Sequence, residues 1–337
     1  MKKILCFGEA LIDFLHIGAT RQGPLTLPEF RQYPGGAPAN AAVAVARLGG
    51  QALFAGQVGQ DPFGEFLADA LIQYGVDTRF LLKHPQAKTA LAFVMLDESG
   101  DRSFSFHRHD TADVILEKHQ VHSDWFSGDS ILHFCSNTLT TRHIAECTSH
   151  IVDSARRAGN LVSFDVNLRH NLWASGEADR VLVNNLVTKS DLVKFSRDEL
   201  EYLANGNCQD YIAHCLTEQC QLLLVTDGAN RIDYFTANQQ GSIQPPKVKA
   251  VDTTAGGDAF IGGFLYALGC FDEITDVFAD ASELESLLLF ATHCGAYAVT
   301  QPGAFPALPD LACIQARLAE HGHPASAFNS LLFRSPV

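Results

Sequence analysis

No CxxC pair occurs among the nine cysteines, so neither a disulfide framework nor a cysteine-held zinc site is indicated, and most thiols are expected as small core residues. Positive charge is also scarce: 24 Lys and Arg stand against 38 Asp and Glu, a formal net charge of −14. That balance argues against a nucleic-acid partner, because phosphate backbones are held by clustered Lys and Arg. The longest apolar run, Ala259 to Phe271, lies between Asp258 and Asp272. It falls short of the roughly 18 to 20 residues that cross a bilayer, so no transmembrane helix and no membrane partner are expected. The opening MKKILCFGEALIDFLH is interrupted by Glu9 and Asp13 and lacks a small-residue cleavage site. It reads as a first β-strand, and a cytoplasmic location is expected. Two nucleotide fingerprints are missing, GxxxxGK[ST] and a GxGxxG after the first strand, which disfavours a P-loop kinase and a dehydrogenase. His107 with His109 and His321 with His323 lack carboxylates or cysteines at fitting spacing, so they read as exposed strand or tail residues and not as metal ligands.

What is present is a globular enzyme's composition, 47% hydrophobic and 18% charged over 337 residues, read as a single domain. Strand-like runs recur at 4–7, 52–58, 131–135, 161–166, 192–195 and 222–226. Helix-period segments fall at 38–48, 62–74, 140–158, 177–189, 197–204 and 210–219. Strand and helix in alternation predict an α/β fold, a doubly wound, mostly parallel sheet with helices on both faces. Two segments break the rhythm, about 14–34 and 88–112, where stretches such as RSFSFHR (102–108) alternate as antiparallel strands do. They predict a small separate sheet acting as a lid, with Phe104 and Phe106 on an apolar face and Ser103, Ser105 and His107 on the other. Its free edges and apolar face suggest homodimerisation through the lid. Residues 321–337 read as a C-terminal extension.

The chemistry concentrates in two places. Asp252 to Asp258, DTTAGGD, runs straight into the apolar stretch Ala259 to Leu268. Thr254, Ala255, Gly256 and Gly257 are small enough to expose consecutive backbone N–H groups, and a helix N-terminus behind them adds partial positive charge, which together make an anion cradle. Asp258 would then lie where a base is needed; alone, the heptapeptide serves equally as an N-cap turn. Near the other end, Asp13, Gly35, Gly36 and Asn40 supply a carboxylate, an amide and closely approachable backbone, the set that recognises vicinal hydroxyls of a sugar. Taken alone, these residues also serve as a loop and a helix cap.

Together, GGAPAN (35–40) and DTTAGGD resemble the two signatures of the ribokinase-like, or PfkB, family of carbohydrate kinases. GQDPFG (59–64) and AVTQPGA (298–304) are similar to further family blocks, so the resemblance covers nearly the whole chain. DVNLRHNLW (165–173) looks like the block shared by fructokinases and 2-keto-3-deoxygluconate kinases, and the FSFHR strand followed by Ala112-Asp113 looks more like the fructokinase pattern. The chain departs from the family at Arg231, where a glycine is usual in the block beginning at Thr226, and at Ala255 in the cradle.

The resemblance implies a ribokinase-like fold that transfers the ATP γ-phosphoryl to a sugar, fructose above all, with a 2-keto-3-deoxygluconate kinase, a nucleoside-type kinase such as an aminoimidazole riboside kinase, or a non-catalytic sugar sensor as alternatives. Asp258 would be the base, and the amides of Ala255, Gly256 and Gly257 would hold the developing charge. Asp13, Gly35, Gly36, Asn40, Phe106, Arg108, Asn167 and Arg169 would bind the sugar. Lys194, Ser196, Glu199, Thr226, Gly228 and His293 would face the nucleotide. Glu199 would act on magnesium through water, and Asp252 and Thr254 with backbone near Ala298 and Gly303 would bind potassium.

Overall fold

The computed structural model describes residues 1–96 and 102–323; the side chains of Leu96 and of residues 102–104, Phe104 included, lie outside the description, as does most of the expected C-terminal extension. In chain order the strands are β1 (Lys3–Phe7), β2 (Leu11–Gln22), β3 (Leu25–Gly35), β4 (Ala52–Gly59), β5 (Asp77–His84), β6 (Leu91–Leu96), β7 (Arg102–His107), β8 (Ser130–Cys135), β9 (Leu161–Asp165), β10 (Leu192–Ser196), β11 (Leu222–Thr226), β12 (Ile232–Phe235) and β13 (Gln240–Ile243). The helices are α1 (Ala37–Arg47), α2 (Pro62–Gln73), α3 (Arg142–Arg157), α4 (Arg180–Val187), α5 (Arg197–Ala204), α6 (Cys208–Thr217), α7 (Gly256–Gly269), α8 (Ile274–Ala279), α9 (Ala281–Ala298) and α10 (Leu311–Glu320).

Among the described residues, nine strands form one sheet in the order β13-β12-β11-β10-β9-β8-β1-β4-β5. It is parallel from β11 to β5, and β12 and β13 continue it antiparallel at one edge. Its strands are apolar on both faces because each face is covered. Ile4 and Cys6 of β1, with Leu222 and Leu224 of β11, enter the layer under α1, α7 and α9. The alternate residues Leu5, Phe7, Leu223 and Val225 enter the layer under α3 to α6. All nine cysteines are free and seven are buried in this core, as the missing CxxC pairs suggested.

The off-rhythm segments form the second sheet, β3-β2-β6-β7. It is longer than the sequence pattern indicated, beginning at Leu11 and ending at Gly35, whereas residues 108–112 leave it. Its expected polar face is aromatic near the root. His107 stands against Phe93, which stacks on Phe14 at 5.1 Å and meets Phe30 edge-on, while Phe14 packs on Phe63 of α2. The serine-histidine alternation of β7 gave no sign of this, because the rings come from neighbouring strands. On the opposite face Asp13, Ala92 and Phe106 lie in cross-strand register, and Phe106 packs partly buried on Leu11, Ala90 and Ala92.

Helix α7 lies deep between two helices because it carries glycines where they cross. A Cβ on Gly262 would sit 2.5 Å from Ala44 Cβ of α1, and one on Gly263 would sit 2.7 Å from Cys294 Sγ of α9. Small residues are required at both crossings, so a methyl group must push the helices apart. Gly262→Ala is expected to destabilise the fold by about 1–3 kcal/mol in denaturant melts, despite alanine's better helix propensity; an unchanged or raised midpoint would show that α1 and α7 separate freely.

Candidate active site

The parallel strands point their carboxyl ends toward the loops that carry nearly all the predicted site residues, as open α/β sheets do with ligand-binding groups. Asp258 lies in the first turn of α7, and no side chain caps that helix. Gly256 N–H makes a long bond to Thr253 O at 3.4 Å, and no side chain competes for the leading amides, so an incoming anion can take them. A Cβ on Gly256 would strike Val299 Cγ1 at 2.6 Å, whereas one on Gly257 would meet nothing closer than Lys194 Nζ at 3.7 Å. Gly257 thus sets the helix terminus beside the Lys194 ammonium with no side chain between them, two positive groups that one anion can share.

Asp258 is 7% exposed, and Asn40 Nδ2 of α1 donates to its Oδ2 at 2.7 Å. Burial pushes its pKa up to about 7; the Asp165 charge adds to the rise, while the Asn40 hydrogen bond and the Arg169 and Lys194 charges oppose it. Such a carboxylate can accept a proton near neutrality and return it. The early motif meets the late one here. Asn40 N–H also donates to Gly36 O at 2.8 Å, and Gly35 lies so close to Asp13 that a Cβ would fall 2.1 Å from Asp13 Oδ2. Gly36 holds φ +105° against the carbonyl of Glu9, which only glycine tolerates at that distance.

Arg108 is buried with Asp113: its Nε donates to Asp113 Oδ2 at 2.5 Å and its Nη1 to Asn137 O at 2.9 Å, while Nη2 has no partner. Glu9, fully buried, accepts from Asn137 Nδ2 at 2.8 Å and Ala37 N–H at 3.3 Å through Oε1, and its Oε2 has none. Burial lifts the Glu9 pKa, opposed by Arg108 and Asn137. Asn40 Oδ1 and Asn137 Oδ1 are buried and unpartnered as well. Orphaned donors and acceptors are costly unless something binds them, and a polyhydroxylated ligand offers the complementary groups. Asn167, at φ +38°, follows β9 and accepts Ser136 Oγ through its carbonyl at 3.3 Å. Arg169 is exposed and donates to Leu168 O at 3.1 Å.

Lys194 of β10 stands in register with Asp165 of β9, and its Nζ reaches both carboxylate oxygens at 2.8 and 3.0 Å. Burial lowers the Lys194 pKa, but the Asp165, Glu199 and Asp258 charges more than offset this, so it stays a cation. Ser196 caps α5 in a capping box with Glu199, whose carboxylate takes the N–H of Ser196 at 2.7 Å and of Leu168 at 2.8 Å. Thr226 ties its hydroxyl to Phe195 O at 3.2 Å, and Gly228 turns with φ +53° after β11. Asp252 gathers the next loop: Oδ1 accepts Thr254 N–H and Oδ2 accepts Gly303 N–H, each at 2.9 Å, close to where α9 ends at Ala298. His293 is buried in α9, and its Nδ1 has no partner. Its ring meets His321 at 5.0 Å and His323 at 6.0 Å, and burial followed by those neighbours lowers its pKa to about 4.

Sequence patterns passed over Asp165, Glu9, Asp113 and Asn137 as site residues. A signal existed for the first two, since each is a lone carboxylate closing an apolar strand run, LVSFD and ILCFGE. For magnesium, the described residues hold no cluster of three or more His, Cys, Asp or Glu that could bind an ion. The fit is to an ion carried by phosphate oxygens and water, with Glu199 behind it.

The chain matches the model of the pfkB family of carbohydrate kinases over residues 1–311. It is 39% identical over 317 residues to probable fructokinase-7 of Arabidopsis thaliana, covering 93% of this chain and 91% of that one. Among solved structures it is similar to a fructokinase with bound ATP from Xylella fastidiosa, at 42% identity and a TM-score of 0.89 over 96% of this chain and 100% of the other. A fructokinase double mutant from Vibrio cholerae O395, in a form with fructose, ADP and a potassium ion, matches at 34% identity and a TM-score of 0.83 over 94% and 98% of the two chains. With the two signatures meeting at Asn40 and Asp258, and a family match over most of its length, this chain belongs to the pfkB family of carbohydrate kinases.

Proposed function

We propose that the protein is an ATP-dependent fructokinase, converting fructose and ATP to fructose 6-phosphate and ADP. The observation that carries the reading is a buried carboxylate, Asp258, held by Asn40 at an uncapped helix N-terminus beside Lys194. The sugar lies against Asp13, Gly35, Gly36, Asn40, Phe106 and Asn167, its hydroxyls meeting the unpartnered atoms of Asn40, Asn137 and Arg108. As the acceptor oxygen bonds to the γ-phosphorus and the bond to the β-phosphate oxygen breaks, Asp258 takes the hydroxyl proton. The amides of Ala255, Gly256 and Gly257, with Lys194, hold the developing charge. Magnesium, when bound with ATP, neutralises the phosphates, with Glu199 orienting its waters. Ser196, Thr226 and Gly228 line the nucleotide side, and Asp252, Thr254, Ala298 and Gly303 form a potassium site. The small sheet acts as the lid that keeps water from the phosphoryl group, and the protein works in the cytoplasm.

The reading is tested by a panel of fructose, 2-keto-3-deoxygluconate and aminoimidazole riboside with ATP and magnesium. Fructose is expected to give the highest kcat/KM, with a further rise when potassium replaces sodium. A higher kcat/KM for either competitor would overturn the fructose assignment, and equal rates in the two salts would remove the potassium site.

Asp258→Asn is expected to bind sugar and ATP nearly as before while kcat falls at least about a hundredfold. In the wild type, kcat/KM should rise with pH through about 7, as the carboxyl loses its proton. Folding raises this pKa from 3.8, so between about pH 4 and 7 the folded protein holds a proton that the unfolded chain has released, and the Asp258 contribution to stability declines across that window. The Asn variant should lose both dependences; a wild-type rate flat from pH 5 to 9 would count against Asp258 as the base.

Ile17, Leu25, Leu27 and Met95 are exposed apolar residues of the small sheet, which supports a homodimer formed through it. Light scattering should give twice the chain mass, and Leu25→Asp should return the monomer. A wild-type monomer at micromolar concentration would refute the assembly.

A further inference from the structure

Among the described residues Arg108 is the buried guanidinium, and its charge is already engaged from within the protein. Asp113 takes Nε, and the Asn137 carbonyl takes Nη1. Asp113 is itself held by Thr111 Oγ1 at 2.7 Å, which orients its carboxylate toward Arg108. Glu9 lies close enough for its charge to act on Arg108, and it holds Asn137, whose carbonyl is the second anchor. Only Nη2 remains. A carboxylate ligand gains from a guanidinium whose charge is still uncompensated, and here Asp113 and Glu9 already act on that charge, whereas a neutral hydroxyl needs one donor and can itself donate to a waiting acceptor such as Asn137 Oδ1. Arg169 does not replace the fork, because it stands at the Asp258 end, where it acts on the base.

We propose that Asp113 and Glu9 are specificity-determining positioning residues: by engaging Arg108 from inside the protein they reserve it for a neutral hydroxyl and exclude acceptors bearing a carboxylate. The proposal rests on the sugar-kinase reading above. Neither residue touches the transferred phosphoryl, so their effect belongs in the choice between acceptors and not in the chemical step.

The test compares kcat/KM for fructose and 2-keto-3-deoxygluconate in the wild type, Asp113→Asn and Glu9→Gln, each checked for a cooperative melt. The expected result is a shift of the ratio toward the keto acid by about tenfold or more in at least one variant, carried mainly by KM. A uniform loss for both acceptors with the ratio unchanged would mean a merely structural role and overturn the proposal. A second measurement needs only the wild type. Glucitol and gluconate differ by a terminal hydroxymethyl against a carboxylate, and gluconate should compete with fructose about tenfold more weakly or worse; equal competition overturns the proposal even if neither variant folds. A wild type that does not phosphorylate fructose sinks both readings, whereas fructose turnover with an unmoved ratio sinks this one alone.

Discussion

The contact between Asn40 of α1 and Asp258 of α7 joins two segments separated by most of the chain, and the rest of the site is arranged around it. It exists because Gly262 lets α7 lie against Ala41 and Ala44 one turn further along. A hydrogen bond between polar side chains is worth little where water competes, but inside a dry crossing of helices it fixes the carboxylate's position and restrains how far its pKa climbs. Glycine at the crossing is therefore what lets the Asn40–Asp258 contact form.

The same edge of the sheet concentrates buried charge. Lys194 with Asp165, Arg108 with Asp113, the enclosed Glu9 and the half-buried Glu199 all lie in or beside the layer that ends at the loops. Buried pairs of this sort are weak contributors to stability, since desolvation offsets most of their attraction. Their value is directional. Asp165 keeps Lys194 beside Gly257, and the N–H groups of Ser196 and Leu168 fix the Glu199 carboxylate.

Much of this was legible in the sequence where a signal is local. Buried strands such as 131–135 and 222–226 announce themselves as apolar runs, and the two glycine-rich motifs mark helix starts that the structure bears out at α1 and α7. Strand β5, DTRFLLKH, was missed because an edge strand is half-buried and shows neither a continuous run nor a clean alternation. The short antiparallel pair β12 and β13 escaped for the same reason. Partners set by topology were harder still: nothing local says that Asp165 meets Lys194, or that Arg108 is claimed by Asp113 before any ligand arrives.

The distribution of unpaired thiols has a practical corollary. Cys6, Cys270 and Cys294 belong to the packing layer under α7, and Cys147, Cys215 and Cys220 to the layer on the far side of the sheet. Burial drives the Cys6, Cys147, Cys215, Cys220 and Cys294 pKa values upward, and an enclosed, protonated sulfur does not react with an alkylating reagent. Modification then proceeds only when a layer opens, so mass-resolved alkylation reads the opening of each half of the molecule on its own clock, with Cys208 and Cys313, which are only partly covered, as internal references.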